Sequence, residues 1–384
     1  MNTLVGIGLL NHFTAIKNNC YMIYLPIFLL FLISSSNVFS KNINLVTADP
    51  RFSSMTEFED IPFAEDVGIV LNSKLLEIAG AKFPFNPSII RKDNYYIIAF
   101  REDTRDQKRV QIEIKIGYAK FSLDFTQMEP IKFYEISFPG PHDPRIFYCG
   151  GKMYLTYAYL LYEPTRALIR WDLYKGRQRQ GLSSLDEDNT ILKNTSLDYG
   201  NQFREKNWTP FEYIDEQNNL NLYFVYKFNP LEIIKIDASN NVKLISKDEH
   251  RSAKIWDNWE RKWGEIRGGT SALLVDNEYL TFFHSCFGKR FYVFGALTFE
   301  SRPPFRITKI SKFPIIFRDC YTAKNAAAIA CGSYLPNVIF PCGFVEEKIN
   351  DNRVFYILGG ENEQAARLIT IDKNTLYNFM ITVE

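Results

Sequence analysis

The chain lacks the features that announce most enzyme classes. Neither sign of charge is in excess: 45 Lys and Arg face 44 Asp and Glu, a net of +1, which argues against a nucleic-acid or polybasic membrane binder. Histidine is scarce, at 4 residues, and no H-E-x-x-H, G-x-x-x-x-G-K-[ST] or G-x-S-x-G is present, nor a dinucleotide fingerprint after a strand. Zinc-protease, P-loop, serine-hydrolase and Rossmann chemistry therefore lack their usual residues. Cysteine is sparse too. Of 6 in all, Cys20 lies near the N-terminus, leaving Cys149, Cys286, Cys320, Cys331 and Cys342, an odd number with no C-x-x-C spacing. That excludes a disulfide-stapled fold and predicts small buried thiols, with at most one bridge in the 320–342 region. No structural metal and no cofactor is expected, inorganic phosphate being considered only as a co-substrate.

Long apolar runs are missing, with one exception. Tyr21 to Ser34 is a 14-residue apolar run broken by Pro26, short for a bilayer span of about 20 residues. No Asp or Glu occurs through Ser40, and Lys17 is the single Lys or Arg there. Val38 and Ser40 suit the −3 and −1 positions of a signal-peptidase site. Two readings stay open: a signal peptide over residues 1–40, or a retained anchor over residues 21–36. Either sends the body, residues 41–384, to a secreted, periplasmic or lumenal location, and the membrane is a partner only if the segment stays uncleaved.

What the chain has in quantity is aromatics: 32 Phe, 22 Tyr and 5 Trp. These favour pleated strands and also provide stacking platforms, so an all-β scaffold is expected. A repeat sharpens this. Five segments share a small or polar lead residue, usually Pro, an apolar strand, a polar turn and a second aromatic strand. They begin at Asn86-Pro87, Asp143-Pro144, Thr209-Pro210, Thr270-Ser271 and Phe340-Pro341, spaced by 57, 66, 61 and 70 positions. A period of about 60 residues filled with strands and turns predicts a five-bladed β-propeller, the lead residues ringing the mouth of its channel. The alternative is two β-sandwich domains divided near residues 185–200. Gly176–Thr195 and Glu102–Val110 read as long loops over one face.

The candidate residues cluster in these leads. Asp143, in His142-Asp143-Pro144-Arg145, is a carboxylate fixed at a strand start beside a basic residue, suited to a general acid or an electrostatic stabiliser. Arg267-Gly268-Gly269-Thr270 combines a planar donor fork with close backbone approach, suited to phosphate or carboxylate. His284 lies on the following strand. Lys206-Asn207-Trp208-Thr209-Pro210 sets a cation and an indole before the third blade, the indole a candidate platform for a sugar's C–H face. Glu205, Glu265, Glu102 and Asp103 are spare carboxylates nearby.

Taken in order, Asn86-Pro87, Arg101, Ile116-Gly117-Tyr118-Ala119, Asp143-Pro144-Arg145-Ile146, Lys206-Asn207-Trp208-Thr209-Pro210-Phe211, Arg267-Gly268-Gly269-Thr270, Tyr279–His284 and Phe294-Gly295-Ala296-Leu297 resemble glycoside hydrolase family 130. That family comprises β-mannoside phosphorylases, β-mannosidases and related mannosyltransferases on five-bladed propellers. The resemblance implies that Asp143 is the catalytic acid, acting through a hydroxyl of the bound mannose, and that Asn86 and Arg101 help hold the sugar. It implies that Lys206, Arg267 and His284 form the phosphate site. Arg145, Asn207, Trp208 and Thr270, in the same motifs, complete the expected substrate-binding set. Two departures bear on the substrate: His142 stands where the family usually has an acidic residue, and Ser271-Ala272 follows Thr270 where it usually has prolines. The expected partner is an oligosaccharide or glycoconjugate. Phosphorolysis, hydrolysis in an exported enzyme, lumenal transfer from an activated mannose and a non-catalytic carbohydrate-binding propeller remain distinct alternatives.

Overall fold

The computed structural model describes residues 44–105, 112–161, 177–200, 202–237, 239–248, 254–288, 291–324 and 337–383. The expected leader, with Cys20, lies outside the described residues, as do Cys331, His250 and the 106–110 part of the expected loop Glu102–Val110.

In chain order, β1 (Val70–Leu76) precedes blade I, formed by β2 (Pro84–Lys92), β3 (Tyr95–Arg105), β4 (Ile112–Ser122) and β5 (Lys132–Phe133). Blade II holds β6 (His142–Cys149), β7 (Lys152–Leu160), β8 (Gln178–Leu185) and β9 (Ile191–Leu197). Blade III holds β10 (Thr209–Ile214), β11 (Leu220–Phe228), β12 (Leu231–Ile236) and β13 (Val242–Lys247). Helix α1 (Lys254–Trp263) leads into blade IV, with β14 (Ile266–Gly268), β15 (Leu273–Val275), β16 (Glu278–Phe287), β17 (Phe291–Glu300) and β18 (Ile307–Ser311). Blade V holds β19 (Ile339–Ile349), β20 (Asn352–Glu361) and β21 (Ala365–Asp372), followed by α2 (Lys373–Phe379) and β22 (Met380–Thr382). The five sheets form a ring, a five-bladed β-propeller, as the repeat predicts.

Two strands from outside the five-fold repeat add to blades V and IV. β1 pairs antiparallel with β21 as the outer strand of blade V, and β22 pairs with β18 at the edge of blade IV. Each covers the edge of the strand it pairs with and is itself anchored by that pairing. Neither strand is legible in the repeat, because each completes a blade whose other strands lie elsewhere in the sequence. The expected loop Gly176–Thr195 and the sandwich boundary near 185–200 are both overturned: β8 and β9 occupy that stretch, joined by a turn in which the carboxylate of Asp186 accepts from the N–H groups of Asp188 and Thr190 at 2.9 and 2.7 Å. Its polar composition reflects an outer strand, not a linker. Helix α1 is likewise absent from the strand repeat; it seats Trp259 and Trp263 in the core, where Trp259 donates to Ser285 Oγ at 2.9 Å.

Burial explains the strand compositions. Residues 85–90 of β2 are buried without alternation, as expected for an inner strand wedged between neighbouring blades, whereas β13 is partly or fully exposed throughout and carries Lys243 and Lys247. Aromatic rings pack both within blades and between them. Phe211 packs on Tyr223, Tyr279, Phe299 and Phe305 with ring centroids 4.8–5.6 Å apart, and Phe147, Trp208 and Phe224 share the core between blades II and III. The described cysteines, Cys149, Cys286, Cys320 and Cys342, are free thiols, so no bridge joins Cys320 to Cys342.

Candidate active site

Inner strands of blades I and II bend where chemistry is expected. Their pairing registers shift between Phe85 and Ser88 and between His142 and Arg145. At these bulges Asn86 and Asp143 adopt φ values of 49° and 54°. Bulges re-aim side chains, and Asn and Asp are among the few residues that tolerate left-handed backbone. Here the two side chains meet: Asn86 Nδ2 donates to Asp143 Oδ1 at 2.8 Å. At the entry to blade III the left-handed residue is Asn207, at φ 65°, and not the repeat's lead residue Thr209.

Two cations complete the cluster. Arg101, on β3, donates from Nη1 to Asp143 Oδ1 at 3.3 Å, while its Nε and Nη2 grip both oxygens of Asp103 at 2.7 and 2.8 Å. The guanidinium lies over Phe85, 4.7 Å from the ring centroid, so carboxylate and ring together fix its orientation. Lys206, before blade III, reaches Asp143 Oδ2 at 3.4 Å. Asn86, Arg101, Asp143 and Lys206 therefore converge from two blades and the entry to a third. A Cβ on Gly360 would fall 1.8 Å from Asn86 Oδ1. The adjacent Gly359-Gly360 pair inside a strand is thus a signal of close approach that sequence reading passed over.

The electrostatics of Asp143 follow from its neighbours. Burial alone would raise its pKa, but the charges of Lys206, His142 and Arg101 and the Asn86 hydrogen bond outweigh it and hold the group well below the usual carboxylate range. These surroundings favour the carboxylate form of Asp143, a state that can accept a proton or stabilise positive charge. Lys206 is pushed down by burial, partly offset by Asp143.

The expected phosphate trio is two cations and a neutral ring. Burial, reinforced by the charges of Arg267, Arg145 and Lys206, holds His284 well below its ordinary pKa. Its Nδ1 is buried without a partner, and the ring stands 4.4 Å from that of Phe340. Arg267 pairs with His284 across β14 and β16, and its half-exposed guanidinium bonds Glu265 at 2.7 and 3.0 Å.

Three expected substrate-binding side chains are occupied elsewhere. Trp208 is 1% exposed, edge-on to Tyr226 and Phe224, and offers no ring face to a sugar. Thr270 is fully buried, its Oγ1 accepting from Phe282 N at 3.0 Å and donating to Ser271 O at 2.8 Å, where it mends the break between β14 and β15. Arg145 is 1% exposed, and its guanidinium donates to the carbonyls of Gly268 and Gly269 and to Asn207 Oδ1. The motifs were legible, but which way each side chain turned was not. Of the spare carboxylates, Asp103 joins the cluster through Arg101. Glu102 accepts from Lys82 N at 2.8 Å, and Glu205 accepts from Gln202 N and Tyr226 at 2.7 and 3.2 Å.

His142, read only as a departure from the family pattern, abuts Asp143 in the sequence and is buried with it. Its Nδ1 lies 2.8 Å from Gly140 O, which sets the tautomer with the proton on Nδ1. Burial pushes its pKa down to about 4, against the opposing pull of Asp143. A base whose pKa is depressed by folding binds more protons when unfolded, so stability is complete above about pH 6.5 and declines as pH falls toward about 4. The loss expected from His142 is on the order of 3 kcal/mol, and His284 acts in the same direction. Urea unfolding across this pH range should show the decline, and His142→Gln should flatten it. An unchanged slope would remove His142 as its source.

The comparisons with known proteins follow this geometry. Residues 175–290 match the family model described as beta-mannosyltransferases, a span that includes Lys206, Asn207, Arg267 and His284 but not Asn86, Arg101 or Asp143. No curated protein matches by sequence. Among solved structures, a protein from work on glycoside hydrolase family 130, described as mannoside phosphorylases that include hydrolases targeting β-1,2 mannosidic linkages in Candida mannan, aligns with a TM-score of 0.52 at 13% identity, covering 76% of this chain and 85% of that one. The β-1,2-mannobiose phosphorylase of Listeria innocua aligns at 0.50 and 13%, covering 82% and 97%. A glycosyl hydrolase from Bacteroides ovatus aligns at 0.50 and 14%, covering 76% and 85%. The resemblance read from the sequence thus extends to the fold: this chain is built on the five-bladed propeller of glycoside hydrolase family 130 and, over residues 175–290, is similar to the β-mannosyltransferases.

Proposed function

We propose that the protein is a carbohydrate-active enzyme that transfers β-mannosyl units to a saccharide hydroxyl from a mannose donor activated by phosphate or diphosphate. The observation that carries this reading is the setting of Asp143, a buried carboxylate held by Asn86, Arg101 and Lys206 at 2.8, 3.3 and 3.4 Å, whose cations favour its charged form. A glycosidase or phosphorylase needs a proton donor for its leaving oxygen, whereas a transferase with a phosphate leaving group needs a proton acceptor for the incoming hydroxyl. In the step proposed, the donor's C1–O bond to phosphate breaks and the phosphate leaves with the electron pair. The acceptor oxygen bonds to C1, and its proton passes to the Asp143 carboxylate, directly or through a neighbouring sugar hydroxyl. Lys206 and Arg267 would stabilise the departing phosphate. As Lys206 turns toward that anion its hold on Asp143 weakens, and the carboxylate becomes a stronger base at the moment a proton must be taken. The family match over residues 175–290 supports transfer over cleavage. A retained segment at residues 21–36 would suit such an enzyme working at a membrane surface inside the secretory pathway.

The test is one acceptor under three conditions. The full-length protein is incubated with β-linked manno-oligosaccharide plus mannose 1-phosphate or nucleoside diphosphate mannose, plus inorganic phosphate, or in buffer alone. Elongation that requires the donor is the expected result. Release of mannose 1-phosphate only with inorganic phosphate would instead mark a phosphorylase, and release of free mannose in buffer a hydrolase.

A further inference from the structure

Arg145 is an expensive residue to keep. A guanidinium buried to 1% exposure loses its hydration, and that cost is offset only by well-placed acceptors. The acceptors it has been given are two backbone carbonyls and an amide: Nε donates to Gly269 O, and Nη2 donates to Gly268 O at 3.1 Å and to Asn207 Oδ1 at 3.3 Å. Those three residues are not arbitrary. Asn207 directly follows Lys206, Gly268 directly follows Arg267, and Arg145 itself lies two residues after Asp143 on β6. The two backbones it holds are already in contact, for a Cβ on Gly268 would fall 2.0 Å from Asn207 O. One planar fork therefore fixes the segment carrying each cation of the proposed anion site to the strand carrying the carboxylate.

We propose that Arg145 is the positioning residue of the anion site: by clamping Asn207 and Gly268–Gly269 to β6, it sets how Lys206 and Arg267 face the group that Asp143 serves. The proposal rests on the reading that a phosphate-bearing donor binds there. A Lys at this position supplies a point charge but no fork, so it can satisfy one acceptor and release the others.

The test uses the full-length protein with inorganic pyrophosphate as the titration probe, alongside transfer kinetics. Arg145→Lys should bind pyrophosphate at least about tenfold more weakly, with donor KM raised by a similar factor and kcat changed less, since the cations are displaced and not removed. Combined with Arg267→Ala, it should cost less than the product of the two single effects, as coupled sites do. A purely structural role would lower the active fraction, hence kcat and binding stoichiometry, while leaving Kd and KM as in the wild type; that result overturns the proposal. Should Arg145→Lys fail to fold, Asn207→Gly carries the test, because glycine is at ease at φ 65° and deletes the amide acceptor. It should weaken pyrophosphate binding several-fold, and wild-type affinity would overturn the proposal. Wild-type protein that binds no pyrophosphate would sink the anion site and this role together. Binding that responds to Arg145→Lys without any transfer would leave the role standing and sink the transferase reading alone.

Discussion

Asp143→Asn should lower turnover by at least about 10²-fold while saccharide binding is largely kept. The exchange preserves shape, so Asn86 and Arg101 retain a polar neighbour at the bulge, and Asp103 continues to hold Arg101 by its two bonds of 2.7 and 2.8 Å. What disappears is the negative charge among Lys206, His142 and Arg101 that the environment is built to keep, and with it the proton acceptor. Initial rates and direct titration with manno-oligosaccharide separate the two effects. Equal turnover in wild type and variant would remove Asp143 from catalysis. Equal binding with no turnover in either would leave a carbohydrate-binding propeller without chemistry.

Trp208→Ala should destabilise the protein by about 3–5 kcal/mol, the range for deleting a large buried aromatic side chain, read as a lower urea midpoint. The indole is 1% exposed, with ring centroids of Tyr226, Phe224 and Tyr199 at 5.4, 6.1 and 6.4 Å. Its removal opens a void between blades II and III that rigid strands cannot close. The folded fraction should nonetheless bind saccharide with wild-type affinity, and Trp208→Phe should recover much of the stability. A variant that stayed stable but lost binding would restore the ring as a sugar platform. The experiment thus separates two roles that Trp beside polar residues suggests equally well in a sequence.

The same division runs through the molecule. Asn86 and Asp143 could be picked out because the repeat set them at equivalent strand starts, and the structure joins them by a hydrogen bond of 2.8 Å. Lys206 and Arg267 stand in the same motifs as Arg145 and Thr270, yet the polar atoms of the latter two turn inward to hold strands and carbonyls. A basic residue beside a carboxylate reads the same whether it faces a channel or a backbone. β1 and β22 escaped notice for a different reason: a strand that completes a distant blade carries no local sign of its partner.

The sequence by itself determined the number of blades and their all-β character, since strand periodicity and turn chemistry are local and recur at a fixed spacing. Only the tertiary structure decided which lead residues meet, that the pKa values of Asp143 and His284 are both held down, and that Trp208 and Arg145 are internal. Those properties depend on burial and on charges brought from other blades, and desolvation and Coulomb interaction act through space with no regard for order along the chain.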